Sequence, residues 1–192
     1  MILIFDEVIT GFRHGLGGYQ AIARVTPDLT TLAKALGNGF PIAAVAGRRE
    51  LMERFSTGDR GDVWFAGTCN GNVPGVAAAL AGIAVLENED VHGHLFRLGE
   101  RMRSGLAEIA ARLSVPATAN GFGSVFCLCF EERELFGAYR RELIKRGIFE
   151  MPEYLGRSHL MYSHTDADVD QTLEATEPAL RAALDSLVGA EA

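Results

Sequence analysis

The chain opens MILIFDEVITGF, and that stretch limits its possible folds more than any other. Ile2, Leu3, Ile4 and Phe5 follow one another with no polar residue between them, too dense an apolar run for a strand with one wet face. Such a run suits a strand covered on both faces, as in a mostly parallel sheet of an α/β fold. It ends at Asp6, on the carboxyl edge where open α/β sheets bind their ligands. Alternation puts Ile2, Ile4, Asp6 and Val8 on one face and Glu7 on the other. For Asp6 a strand-end cap is the plain role. The functional alternative is a carboxylate held in an apolar setting to pair with a buried cation.

Residues 29–47, LTTLAKALGNGFPIAAVAG, carry a single charge, Lys34. On a helix, Leu29, Leu32, Ala33 and Leu36 would form an apolar stripe and leave Lys34 solvated on the far side. PIAAVAGR (41–48) reads as a second buried strand, and residues 56–67 as a loop. Around Thr68, AGTCNGNVPG sets a hydroxyl and an Asn-Gly turn ahead of a helix predicted over 72–86, whose first N–H groups would suit a phosphate. That helix, VPGVAAALAGIAVL, is apolar nearly all round and is expected to be buried.

An amphipathic helix over 90–114 follows, and after Ser114 the pattern changes. VPATA, SVFCLCF, GIFEMP and HLMYSH read as short strands, with helices over 132–147 and 166–188 between and after them. A domain boundary is drawn inside or just after the 90–114 helix, giving domains 1–110 and 111–192.

Hydrophobic residues make up 48% of the 192 and charged residues 22%, which fits a globular chain with a sizeable core. The net charge of −7 argues against a nucleic-acid surface, and no basic run suggests an anionic membrane partner. The N-terminus has no basic segment ahead of its apolar run, so no signal peptide is read there. Cys69, Cys127 and Cys129 read as buried free thiols of a reducing cytoplasm. His92 and His94 lack a third ligand at metal-site spacing, and no metal is expected. Glycine-rich nucleotide fingerprints and the G-x-S-x-G elbow are absent, which disfavours a nucleotide-binding doubly wound domain.

DEVITGFR with Asp6, PDLTTLAKALGNGFPIAAVAGR with Lys34 and AGTCNGN with Thr68 occur in one order. That series, with the closing SHTDADVDQTL, resembles the class III pyridoxal-phosphate-dependent aminotransferases, and among them the glutamate-1-semialdehyde 2,1-aminomutase-like group. The resemblance implies the aspartate aminotransferase-like fold (fold type I), here a partial large domain plus a small α+β C-terminal domain. It implies that Lys34 forms a Schiff base with pyridoxal 5'-phosphate, which requires a lysine able to react as a neutral amine. Asp6 then pairs with the pyridine nitrogen, Val8 packs on the ring, and Thr68 binds the cofactor phosphate across the interface of a homodimer.

The activity implied is amino-group transfer between an amino acid or amine and a keto acid, or the aminomutase reaction proper. Arg13, Arg48 and Arg157 are open as substrate-carboxylate partners. Family chains carry a long portion ahead of the DEV strand, so this chain reads as a C-terminal half. It would need a separate N-terminal half for full activity, or be a non-catalytic remnant. A sheet cut in this way would expose apolar faces, and poor solubility or tight self-association is expected.

Overall fold

The computed structural model describes residues 1–55 and 61–188, so residues 56–60 of the expected 56–67 loop lie outside the described residues. The chain divides into two compact units, residues 1–92 and residues 93 onward. The division falls in the first turn of a long helix, ahead of position 110.

The first unit holds strands β1 (Ile4–Glu7), β2 (Leu29–Leu32) and β3 (Ala44–Gly47), in that order across one sheet. β1 and β2 run parallel, with Asp6 beside Thr31; β3 turns back antiparallel to β2. Residues 29–32 are therefore strand, and the helical stripe possible from their spacing does not form. Backbone pairing with β1 decides the matter over local periodicity. The PIAAVAGR segment contributes only Ala44–Gly47.

Among the described residues the unit also holds the helices α1 (Gly18–Ala23), α2 (Arg49–Met52) and α3 (Val73–Asn88) and two 3₁₀ turns, Lys34–Leu36 and Glu53–Phe55. β1 is not covered on both faces within this chain, since Ile2, Leu3 and Ile4 are about half exposed. α3 departs from expectation in the same way. Only Gly75 and Ala79 are buried, while Val73 and Leu80 are 74% and 65% exposed. An all-round apolar helix needs neighbours on every side, and the chain supplies them on one.

Among the described residues of this unit, Glu7 is the one large side chain shielded almost completely, at 1% exposure. Its carboxylate accepts hydrogen bonds from Tyr19 N (2.6 Å) and Gln20 N (2.9 Å) in the first turn of α1, and from Thr10 Oγ1 (2.9 Å). It thus satisfies orphan donors at a helix start. Gly18 (φ 64°) brings that turn onto the carboxylate, and a Cβ there would overlap both Glu7 oxygens.

The second unit contains α4 (Val91–Arg112) from Gly93 on, β4 (Ala117–Phe122), β5 (Val125–Phe130), α5 (Arg133–Lys145), β6 (Ser158–His159) and α6 (Asp166–Val188). Its sheet is antiparallel throughout, ordered β4-β5-β6. GIFEMP forms no strand, and HLMYSH contributes only His159 to β6; Arg140 Nε reaches the Glu150 carbonyl (2.7 Å) and ties that segment to α5 instead.

This unit has a proper core. Leu98, Leu143, Val169 and Leu180 are fully buried, and Phe126, Leu128 and Phe130 alternate inward along β5. Cys127 and Cys129 occupy the other face as free thiols that are half-buried, and Cys69 is exposed, so the expected full burial of the three is not found. Burial, followed by a hydrogen bond and charge coupling with Cys129, pushes the Cys127 thiol up to about 12.

Two outcomes follow. Burial alone would raise the Glu7 pKa, but the Gln20 and Tyr19 N–H groups and the Thr10 hydroxyl favour the ionised form and hold it below its usual value. A carboxyl depressed on folding adds stability above its unfolded pKa, and that stability is lost as pH falls through the folded value. Urea unfolding of wild type against Glu7→Gln is expected to show a gap of about 1–3 kcal/mol near pH 7, narrowing below about pH 4. At pH 8, iodoacetamide should label exposed Cys69 well ahead of Cys127, by about two orders of magnitude in rate, read by mass spectrometry of quenched peptides.

Candidate functional site

Parallel pairing of β1 and β2 sets two strand ends side by side, and two of the singled-out residues lie along that edge. Asp6 is the third residue of β1, next to Thr31 of β2. Its Oδ1 accepts from Val8 N (3.0 Å) and from Thr31 Oγ1 (3.2 Å). Oδ2 makes no hydrogen bond among the described residues. One oxygen is anchored and the other is open.

Lys34 stands two residues beyond the end of β2, at the start of a single 3₁₀ turn, Lys34–Leu36. Its own φ is +45°, a left-handed value that costs a residue with a side chain about 1–2 kcal/mol. The turn is held by the Lys34 carbonyl, which accepts from Gly37 N (3.1 Å) and Asn38 N (2.9 Å), and by Leu36, which is buried beneath it. Gly37 admits the return of the chain, because a Cβ there would press on the Phe40 carbonyl at 2.5 Å. Lys34 itself is exposed, so the apolar enclosure that a neutral amine requires is not furnished by the described residues. Among the described residues its Nζ has neither an ion pair nor a hydrogen bond.

Val8 is half-buried in the turn that follows β1. With Thr31 and Ala44 it lines a cleft of about 670 Å³, whose other residues include Cys69, Asn70 and Asn72. Thr68 opens that last turn and is exposed. The first turn of α3 is already partly capped there, since Asn72 Oδ1 accepts from Gly75 N (2.9 Å). Asp6 and Lys34 thus share a sheet edge, Val8 lines the adjoining cleft, and Thr68 adjoins Cys69 in the same cleft's wall.

The arginines separate. Arg48 is committed to Asp28 (2.7 Å) and to Glu50, at the amino end of β2 and away from Lys34. Arg13 is half-buried in the loop after β1, where burial lowers its pKa. Arg157 is exposed in the second unit. His92 Nε2 meets the Phe12 carbonyl (2.9 Å) and His94 Nε2 the His164 carbonyl (2.8 Å), so neither imidazole is presented as part of a pair. No three metal-ligating side chains cluster among the described residues. None of the described helices is long and apolar enough to cross a membrane.

Thr31 was not singled out from the sequence. Its role depends on its register opposite Asp6, a pairing between residues 25 apart that no local pattern encodes.

Comparison with known proteins adds an independent line. The family model described as aminotransferase class-III matches residues 1–180. A glutamate-1-semialdehyde 2,1-aminomutase 2 of Brevibacillus brevis is 36% identical over 195 residues, covering 95% of this chain and 45% of the relative. An omega-transaminase of Sphaerobacter thermophilus superposes with a TM-score of 0.84 at 32% identity, covering 95% of this chain and 44% of its own. A transaminase with PLP bound superposes at 0.88 and 23% identity over 96% and 45%, a likeness of fold alone. The chain spans less than half the length of the relatives it matches.

The left-handed backbone at Lys34 has a measurable cost. Lys34→Gly is expected to raise the urea-unfolding free energy of the first unit by up to about 1 kcal/mol, and Lys34→Ala to leave it unchanged. Equal stabilities for all three would mean that residue 34 bears no strain.

Proposed function

The chain belongs to the class-III aminotransferases, and from that footing we propose that it supplies the lysine and the ring-facing aspartate of a pyridoxal-phosphate-dependent amino-group transfer. The partial α/β architecture fits the fold type I of those enzymes, with residues 1–110 as the end of the cofactor-binding large domain and 111–192 as the small domain. The observation that carries the reading is the shared edge of β1 and β2, where, among the described residues, Asp6 has an unengaged Oδ2 and Lys34 an Nζ with no carboxylate partner.

Pyridoxal phosphate, when bound, supplies an aldehyde that takes up amino groups and a ring that withdraws electrons from the carbon beside the nitrogen. These residues fit that group. Asp6, steadied through Oδ1 by Thr31 and Val8 N, would keep the pyridine nitrogen protonated through Oδ2. Lys34 would hold the aldehyde and, once displaced by substrate, carry a proton on Nζ. Val8 would pack against the ring. The Thr68 hydroxyl would bind the phosphate of a second copy's cofactor, making the working unit a homodimer. Substrates would be an amino acid or amine and a keto acid, with Arg13 and Arg157 left as carboxylate partners and the aminomutase reaction as the narrower alternative. The setting would be the cytoplasm.

The relatives are about twice as long, and exposed Lys34 and α3 both lack cover among the described residues. We therefore read the chain as half of a site, completed by an N-terminal half. The same exposure is what a non-catalytic remnant would show.

Mixing the chain with pyridoxal phosphate, reducing with borohydride and mapping lysines by mass spectrometry separates these readings. A single adduct at Lys34, lost in Lys34→Ala, is the expected result. Labelling divided between Lys34 and Lys145, or none at Lys34, would mean that this chain does not select its lysine.

A further inference from the structure

The second unit contains a cavity of about 380 Å³, within the range of small-molecule pockets. Its floor is apolar and aromatic: Met102 and Leu106 from α4, Phe126 and Leu128 from β5, and Tyr139 from α5. One wall is the segment after α5, which brings in Glu150. The Glu150 carboxyl accepts one hydrogen bond, from Ser158 Oγ to Oε1 (3.0 Å), and among the described residues it has no ion-pair partner. Arg140 of α5 spends its Nε on the Glu150 carbonyl (2.7 Å). Burial raises the Glu150 pKa, and the Ser158 bond and the Arg140 charge act against that rise without cancelling it.

The other charged groups at the cavity reinforce its sign. Asp168 is fixed by Thr165 N (2.7 Å) and Thr165 Oγ1 (2.8 Å), and no lysine or arginine among the described residues lines the space. His164 is oriented by accepting the Met161 N–H at Nδ1 (2.9 Å). A half-buried carboxyl with one hydrogen bond and no cation stands to gain from a charge-assisted donor. Anions would meet two carboxylates, and a divalent metal would find too few ligands.

We propose that this cavity binds a small primary ammonium ion with an apolar, aryl-bearing body, the ammonium on Glu150 and the body over Phe126 and Tyr139. Every residue lining the site belongs to the second unit, whereas Lys34 and Asp6 belong to the first, and the proposal does not depend on the cofactor reading.

The test is a titration of the purified chain, without cofactor, by phenethylamine, followed by ¹H–¹⁵N chemical shifts. Saturable shifts at Gly147–Glu150 and Ser158–Leu160 are expected, with affinity falling at least about tenfold in Glu150→Gln. Phenethyl alcohol, isosteric and uncharged, should bind wild type more weakly by a similar factor. Either result overturns the proposal: no saturable shift at these residues, or equal affinity for amine and alcohol. A Glu150→Gln chain that folds by circular dichroism and binds the amine as tightly as wild type also overturns it.

Discussion

The pairing of β1 with β2 is the constraint from which the candidate site follows. The ladder sets Asp6 against Thr31, so one carboxylate oxygen is anchored by a neighbouring strand and the other is left open. The same alternation turns Glu7 inward, where it caps α1. Adjacent carboxylates thus have opposite duties, one at an exposed edge and one sealed at 1% exposure. A slip of one residue would exchange them, placing Asp6 against the helix start and Glu7 at the edge. The three hydrogen bonds received by Glu7 oppose that slip.

Burial is shared unevenly. The second unit packs α4, α5 and α6 with β5 around leucines and phenylalanines at near-zero exposure, while the first leaves β1 and α3 with large apolar side chains in water. Long-range ion pairs such as Arg97–Asp166 (2.7 Å) link α4 to α6, but they are half-exposed and contribute little beside the apolar contacts. The first unit is held by its ladder and by the Glu7 cap, features that fix geometry more than they add stability.

The sequence made the strand at residues 4–7 legible, because its composition has few other readings, and likewise the long helices, where periodicity runs for several turns. It made Asp6 and Lys34 legible as a pair only through the motifs around them. β2 was ambiguous: LTTLAKAL satisfies a helical stripe, and only a partner strand 25 residues away makes it extended. Thr31 was hidden for the same reason. The exposure of α3 is not legible, because composition states which surface wants cover, whereas whether cover exists depends on residues elsewhere. Glu150 was likewise opaque, since GIFEMP looks like a strand until Arg140 is seen to bind its backbone.

The unequal cores give each unit its own thermal voice. Heat capacity of unfolding scales with apolar surface newly exposed, so a calorimetric trace of the chain would be dominated by the melting of residues 93 onward. The sheet edge bearing Asp6 and Lys34 could open with little heat and scarcely alter that trace. For this chain a sharp melting transition would certify the unit that holds the cavity while staying nearly silent about the unit that holds the lysine.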